Sequence, residues 1–231
     1  MRPRIRAIAV AVSAAFALLA VGCSQPQTPA PAPARPTASG AAAPCAYPAS
    51  GEAAKPVQPP TTTGVVTSGK TTFVLKTNAG DVKITMDRSK APCTVNSFES
   101  LAKQGYFDGT SCHRLADSGI FVLQCGDPTG TGSGGPGYAF PDEEQGVRSY
   151  KRGVVAMANA GPGTNGSQFF LIWNDSTEVL DAQPNYTIFG QMDLESVNVV
   201  AQIAAEGQDG SNPDGTGKPN NPAEIISVSR K

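Results

Sequence analysis

A long stretch rich in proline and alanine limits how much of this 231-residue chain can fold. Between residues 24 and 68, Pro, Ala, Thr and Ser predominate and large apolar side chains are rare. Such a segment cannot bury enough apolar surface to offset the entropy lost on ordering it. We therefore predict a disordered, extended spacer over residues 23–68, and one folded domain of ordinary size over residues 69–231.

The first residues have the pattern of an export signal. A positively charged start contains Arg2, Arg4 and Arg6, and an apolar run extends from Ile8 to Val21. The run is short for a membrane span and typical of a signal peptide, here predicted over residues 1–22. The segment Leu19-Ala-Val-Gly-Cys23 is similar to a bacterial lipobox. We predict that Cys23 is lipid-modified and anchors the chain at the extracytoplasmic face of the cell membrane; the alternative is an ordinary cleaved signal.

Charge and cysteine content exclude several classes of function. The net charge is −1 and no basic stripe is present, which argues against binding nucleic acid through its phosphates. With Cys23 set aside, Cys45, Cys93, Cys112 and Cys125 remain, an even number that suggests disulfides in an exported chain. Three pairings are possible, and free buried thiols are the alternative. No metal site is expected, because the only histidine is His113 and there is no Cys-x-x-Cys; no cofactor is implied.

The pattern of apolar residues predicts a β-rich domain with two helices. Residues 71–77 and 81–86 alternate apolar and polar side chains around a short turn, as a hairpin does. An amphipathic helix is predicted over residues 91–105 and a second one after Asp193, which is a favourable N-cap. The remaining strands are short and are separated by Gly and Pro. This spacing favours a closed antiparallel barrel with a helix at each end.

The run from Gly153 to Phe170 is free of charged residues and combines small residues, amides and two adjacent aromatics. That composition suits a groove that binds extended backbone beside an apolar pocket. Residues 130–135 fit the pattern Gly-x-Gly-x-x-Gly, but Pro136 and Gly137 follow where a phosphate site needs a helix. We interpret them as a loop, and residues 209–215 as a turn that lacks the ligand pattern of a calcium site.

The run 153–170 resembles the central motif of the cyclophilin family of peptidyl-prolyl isomerases. His113-Arg114-Leu115 and Phe121-Val-Leu-Gln-Cys-Gly-Asp127 are similar to the other strong motif of that family, in the same order. The resemblance spans about residues 70–231. It implies a closed eight-stranded antiparallel barrel capped by two α-helices, and an enzyme that isomerises X-Pro bonds in polypeptides folding outside the cytoplasm.

The resemblance also implies roles for individual residues. Arg114 matches the arginine that donates toward the proline amide, and Phe121 and Gln124 complete the predicted catalytic set. The predicted substrate-binding residues are Val122, Ala158, Asn159, Ala160, Gln168, Phe170, Leu180 and Tyr186. Tyr186 stands where many members of the family have histidine.

Two departures from the family pattern affect the expectations. The segment between Arg114 and Phe121 is two residues longer than expected, which can reshape one rim of the groove. Val179 occupies a position where many cyclophilins have a tryptophan that helps to hold cyclosporin, and Trp173, the only tryptophan, lies elsewhere. We expect weak cyclosporin binding with isomerase activity retained.

Two other kinds of function fit part of the pattern. One is a module that binds proline-containing polypeptides without depending on turnover; the presence of Arg114 favours the enzyme. The other is an envelope lipoprotein whose main task is adhesion, in which the spacer or a loop would suffice. The expected partners are proline-containing polypeptides and, through the lipid, the membrane, with the protein acting as a monomer.

Overall fold

A computed structural model of the chain describes residues 45–143, 146, 148–182 and 185–231. Eleven strands and three helices are present in this part of the chain. The strands are β1 (Ala49–Ala53), β2 (Lys70–Thr77), β3 (Gly80–Asp87), β4 (Thr110–Ser111), β5 (Arg114–Ser118), β6 (Ile120–Cys125), β7 (Pro136–Tyr138), β8 (Val154–Met157), β9 (Phe169–Ile172), β10 (Ile188–Met192) and β11 (Glu224–Arg230). The helices are α1 (Pro92–Lys103), α2 (Thr177–Leu180) and α3 (Leu194–Ala205).

The main sheet is antiparallel, strongly curled and open. Its nine strands follow the order β4-β11-β2-β3-β10-β8-β9-β6-β5, and β1 pairs with β7 in a separate two-stranded sheet. The prediction of a closed eight-stranded barrel is therefore wrong, whereas the mainly β, antiparallel class is confirmed. The reason lies at the edges: among the described residues β4 pairs with no strand but β11 and β5 with no strand but β6, so no ladder joins the two ends. Leu115 of β5 makes only an isolated bridge, to Gly217.

The predicted hairpin and both long helices are present. Strands β2 and β3 pair in register from Lys70 with Asp87 to Thr77 with Gly80. Helix α1 begins with Pro92, which needs no backbone N–H at that position. Helix α3 is capped by Asp193, whose side chain accepts a hydrogen bond from the Ser196 amide. Helix α2 is a single turn that the sequence pattern did not indicate.

The core lies between the inner face of the sheet and helices α1 and α3. Phe98 of α1 is its centre: the ring contacts the rings of Phe73, Phe107, Phe169 and Phe189 at centroid distances of 5.0–5.8 Å. Aromatic pairs at these distances add to the stabilisation that burial alone provides. A second buried cluster lies on the other face of β6, β8 and β9 and forms the floor of the functional site.

The folded part of the chain begins earlier than predicted. Residues 45–68 belong to the fold and include strand β1, so the boundary at residue 69 and the disordered state of this part of the spacer are wrong. Tyr47 is buried and a disulfide ties Cys45 to Cys93 of α1. These two anchors supply the burial and the constraint that the Pro/Ala composition itself lacks. The predicted signal peptide, Cys23 and the rest of the spacer lie outside the described residues.

The four cysteines of the folded part form two disulfides. Cys45 pairs with Cys93, and Cys112 pairs with Cys125. This selects one of the three possible pairings and contradicts the alternative of free thiols. The second disulfide joins the connection between β4 and β5, the two edge strands of the sheet, to the end of β6. Within the described residues, no helix is long and apolar enough to cross a membrane.

Candidate active site

Three neighbouring strands bring the principal site residues together. In the ladder between β5 and β6, Arg114 lies directly opposite Gln124, and in the ladder between β6 and β9, Gln124 lies opposite Phe170. Residues that face each other across antiparallel strands share one face and have Cβ atoms about 5 Å apart. The sheet register therefore places the guanidinium, the amide and the phenyl ring side by side.

A pocket of about 210 Å³ opens beside these residues. Its wall consists of Arg114, Ile120, Val122, Gln124, Ala158, Asn159, Phe170, Leu180 and Tyr186. Eight of the eleven residues predicted for the site are in this set, although they come from segments far apart in the chain. The floor is apolar and buried: Val122, Phe170 and Leu180 are each less than a tenth exposed. Such a pocket can hold an apolar ring beside a cation.

Tyr186 forms one side of the pocket and is held in place by Phe170 and Tyr150. Its ring meets the Phe170 ring edge-on, with centroids 5.2 Å apart. The hydroxyl of the fully buried Tyr150 donates to the carbonyl of Tyr186 at 2.8 Å and accepts from its amide at 3.0 Å. Tyr186 thus keeps the aromatic edge that the sequence predicted, with a rigid backbone.

Phe121 does not line the pocket. The tight turn between β5 and β6 pairs Ser118 with Ile120, and side chains alternate along β6. Ile120 therefore shares the pocket face with Val122 and Gln124, whereas the ring of Phe121 packs edge-on against Trp173 at 5.1 Å. The position in the pocket wall that the resemblance assigned to Phe121 belongs to Ile120 in this structure.

The Arg114 side chain is held at three points. Nε donates to Thr216 Oγ1 at 2.9 Å, Nη1 to Gln124 Oε1 at 3.3 Å, and Nη2 to Asp214 Oδ2 at 3.0 Å. A guanidinium carries five N–H groups, so two remain beyond these three bonds. Arg114 lines the pocket as well, so a guanidinium held by protein lies beside the apolar wall.

Gln124 and Gln168 connect Arg114 to the glycine-rich loop 129–135. Gln124 Nε2 donates to Gln168 Oε1 at 2.8 Å, and Gln168 Nε2 donates to the carbonyls of Gly132 and Gly134, each at 2.9 Å. Gln168 therefore orients Gln124 and lies outside the apolar pocket. This arrangement fixes the acceptor that Gln124 presents to Arg114.

The loop 129–135 is organised around a carboxylate. Asp127 Oδ2 accepts from the amides of Gly132 at 2.7 Å and Gly134 at 3.0 Å, and its Oδ1 accepts from the Thr129 amide at 2.8 Å. These amides are the groups that would cradle a phosphate in a nucleotide-binding loop. Because a buried acidic side chain occupies them, the structure agrees with the interpretation of this segment as a loop.

A second, larger cavity of about 590 Å³ adjoins the pocket and shares Gln124, Ala158 and Asn159 with it. Ala160 and Gln168, both predicted to bind substrate, line this cavity and not the pocket. The side chain of Asn159 is turned to the protein, where Nδ2 donates to the Asn185 carbonyl at 2.9 Å. The two spaces together form a continuous groove.

Four residues that shape the site escaped the sequence analysis: Ile120, Tyr150, Asp214 and Thr216. Alternation along β6 counted back from Gln124 was a usable signal for Ile120. Tyr150 carried no signal, since a tyrosine between a loop and a strand is common. Asp214 lies in the segment 209–215, which the sequence presents as a turn, and Thr216 follows it directly; both are about a hundred residues from Arg114.

Comparisons with known proteins agree with this geometry. Residues 72–230 match the family described as cyclophilin type peptidyl-prolyl cis-trans isomerase/CLD. The chain is 43% identical over 199 residues to probable peptidyl-prolyl cis-trans isomerase B of Mycobacterium tuberculosis, covering 80% of this chain and 63% of that relative. It is 40% identical over 175 residues to peptidyl-prolyl cis-trans isomerase A of the same organism, covering 68% of this chain and 90% of the relative.

Solved structures show the same fold. A cyclophilin type peptidyl-prolyl cis-trans isomerase of Cryptosporidium parvum superposes with a TM-score of 0.61 at 31% identity, over 71% of this chain and 98% of that one. A second structure of it, in the presence of the dipeptide Ala-Pro, gives 0.59 at 32% identity, over 69% and 98%.

The structure thus defines a mainly β protein with an open, curled antiparallel sheet that carries a cation beside an apolar pocket. Together with the match over residues 72–230, this shows that the chain belongs to the cyclophilin type peptidyl-prolyl cis-trans isomerase family. The chain spans less than two thirds of the isomerase B relative that it matches.

Proposed function

We propose that this protein catalyses cis-trans isomerisation of X-Pro bonds in polypeptides. The observation that carries the proposal is the Arg114 guanidinium at the rim of the apolar pocket formed by Val122, Phe170 and Leu180. Membership of the isomerase family supports it. The pocket suits a proline ring, and the adjoining cavity suits the backbone and side chains that flank it.

The proposed reaction is rotation about a single amide bond. Rotation about an amide bond has a barrier of about 20 kcal/mol because resonance keeps the bond planar. A catalyst lowers it by binding the twisted state more tightly than either planar form. In the twisted state the lone pair returns to the proline nitrogen, where an N–H of Arg114 can donate to it. No covalent bond breaks, so neither a nucleophile nor a general base is required.

Pre-organisation makes this donation effective. Thr216, Gln124 and Asp214 fix the guanidinium before substrate arrives, so little reorganisation is needed when the bond twists. The pocket holds the ring while the flanking peptide rotates. Catalysis then follows from one oriented cation and one apolar surface.

The decisive experiment compares the native chain with its Arg114→Ala variant in two assays. Isomerisation of an Ala-Pro model peptide should fall about a hundredfold or more, as for loss of one pre-organised donor, whereas peptide affinity should change little. Arg152→Ala is the matched control, because Arg152 is an exposed arginine that donates to Trp173 and Asn198 away from the pocket. Peptide binding without turnover by either chain would refute the proposal and favour a binding module, whereas equal acceleration by both chains would overturn the role given to Arg114.

We also propose that the protein works outside the cytoplasm, anchored by lipid at Cys23, and assists the folding of exported polypeptides. The signal-like start and the lipobox-like sequence support this, as do two disulfides, which persist mainly in oxidising compartments. Cys23→Ala should move the protein from the membrane to the soluble fraction. Refolding of an exported protein limited by a proline isomerisation step should accelerate with the native chain and not with Arg114→Ala.

A further inference from the structure

The segment from Cys45 to Lys55 is fastened against the domain at its beginning. Cys45 is bonded to Cys93, and the Tyr47 hydroxyl donates to the Cys93 carbonyl at 2.7 Å. The Tyr47 ring packs edge-on against the rings of Tyr138 and Phe140, with centroids 5.5 Å away in both cases. This end of the segment is therefore part of the core.

The end of the segment is fastened as well. Strand β1 pairs with β7, and the Ala54 amide donates to the Gly135 carbonyl at 2.8 Å. Lys55 Nζ then donates to the Asp108 carbonyl at 2.6 Å. Close approach of the two strands requires glycine at Gly137, whose φ is +81° and where a Cβ would lie 3.2 Å from the Ala53 nitrogen. Residues between these anchors are held in place.

Those residues form one wall of the larger cavity. Ser50, Gly51 and Glu52 of β1 line it on one side, and Asn159, Ala160 and Thr164 line it on another. Because Gln124, Ala158 and Asn159 belong to this cavity and to the apolar pocket, a peptide leaving the pocket enters the cavity directly. Among the lining residues that belong to the described part of the chain, Glu52 is the only one with a charged side chain.

We propose that β1 is an added wall of the substrate groove and that Glu52 selects polypeptides carrying a lysine or arginine close to the proline. This inference rests on the proposed function and names a substrate class for the same site. An extended peptide advances about 3.4 Å per residue, so a side chain within two residues of the proline reaches the cavity. Glu52 then meets a cation there, whereas an acidic side chain meets a like charge.

The expected selectivity is moderate because Glu52 is exposed. Ion pairs between exposed groups correspond to roughly a twofold to fivefold change in affinity. Salt weakens them, since the screening length falls from about 30 Å at 0.01 M to about 8 Å at 0.15 M. Preference for basic substrates should therefore be strongest at low ionic strength.

The test measures binding of fluorescein-labelled hexapeptides that contain one proline, by anisotropy at low and at physiological salt. Lysine, glutamate or alanine is placed in turn at each of the two positions on either side of the proline. The native chain should bind the best lysine peptide roughly twofold to fivefold more tightly than its glutamate counterpart at low salt. In Glu52→Gln that ratio should fall to about one.

Glu224→Gln is the charge control, because Glu224 is an exposed carboxylate on β11 outside both cavities. It should keep the native ratio. Equal binding of lysine and glutamate peptides by the native chain, or an unchanged ratio in Glu52→Gln, would overturn the inference. Turnover of the same peptides is measured in parallel. A preference for lysine without turnover would count against the proposed enzyme and still support the role of Glu52.

Discussion

Asp214 Oδ2 accepts a hydrogen bond from Arg114 Nη2 at 3.0 Å, across a separation of 100 residues. The other carboxylate oxygen, Oδ1, accepts from the amide of Thr216 at 3.1 Å and from its hydroxyl at 2.6 Å. The Thr216 hydroxyl in turn accepts from Arg114 Nε. The turn that contains Asp214 and Thr216 therefore sets the plane of the guanidinium.

Removing the charge of Asp214 should impair turnover more than binding. Asp214→Asn keeps the shape of the side chain but loses the ion pair, so the guanidinium is less well fixed. We expect kcat/KM for an Ala-Pro peptide to fall roughly twofold to fivefold, with little change in peptide affinity. Asp117→Asn is the control, since Asp117 lies on the same strand as Arg114 but on its opposite face. Identical turnover by native and Asp214→Asn chains would contradict a positioning role.

The ion pair between Arg114 and Asp214 should also persist at mildly acidic pH. Hydrogen bonds from Thr216, and then from Arg114, lower the pKa of Asp214 from 3.8 to about 2. A carboxyl group with a lowered pKa keeps its contribution above its ordinary pKa and loses it as the pH falls through the lowered value. The ratio of native to Asp214→Asn turnover should thus be constant from about pH 5 to 8. A ratio that changes within this range would show that another group titrates at the site.

Ile120 and Phe121 should respond differently to truncation. Ile120 lines the pocket, whereas Phe121 packs on Trp173. Ile120→Ala should raise KM for a proline peptide several-fold, because three carbon atoms of a half-buried side chain are lost from the wall. Phe121→Ala should lower the free energy of unfolding by about 3 kcal/mol, the low end for this change because the ring is only half-buried, and leave KM close to native. Peptide kinetics and urea denaturation of both variants measure the contrast; the opposite result would restore Phe121 to the pocket.

His113 should make stability depend on pH. It is 8% exposed, and burial lowers its pKa from 6.5, with Asp127 acting in the opposite direction. Below about pH 6.5 the unfolded chain then binds a proton that the folded chain does not, so the free energy of unfolding falls as the pH falls. The chain has no other histidine to obscure this. Denaturation midpoints at about pH 5.5 and 7.5 should differ more for the native chain than for His113→Gln; parallel behaviour would exclude His113 as the source.

Val179 should limit the affinity for cyclosporin. Its side chain is 48% exposed on α2, next to Leu180 of the pocket. Trp173 cannot take its place, because it packs against Phe121 on the other face of the sheet. Val179→Trp offers an indole that can cover the inhibitor, which should tighten binding about tenfold or more. Glu178→Trp, one residue away on the same helix, is the control. Nanomolar binding by the native chain would show that Val179 is no obstacle.

The sequence predicted those parts of the molecule that depend on local pattern. The hairpin of β2 and β3, the start of α1 at Pro92 and the N-cap of α3 at Asp193 follow from alternation and from backbone chemistry at single positions. The residues of the pocket were identified through the resemblance, and the strand register explains why they meet. Phe170 is far from Arg114 and Gln124 in the chain, yet the three residues are adjacent across three strands.

What the sequence did not predict depends on contacts between distant segments. Residues 45–68 are folded because Cys45 is bonded to Cys93 and Tyr47 is buried in the core. Neither contact can be predicted from the composition of the segment. Ile120, and not Phe121, faces the pocket because the turn pairs Ser118 with Ile120. A shift of one residue in this pairing would place every side chain of the strand on the opposite face of the sheet. The open sheet likewise depends on which strands pair at its edges.

The position of the last strand has a consequence for how this molecule is made. Strand β11 is not at an edge of the sheet: it lies between β4 and β2, and the amide of Lys231 still donates to the Thr72 carbonyl. About 150 residues separate β2 from β11 in the chain. Their pairing can form only after a long loop closes. A chain that grows from its N-terminus therefore leaves this edge of β2 unpaired until β11 has been synthesised, and an unpaired strand edge is prone to aggregation.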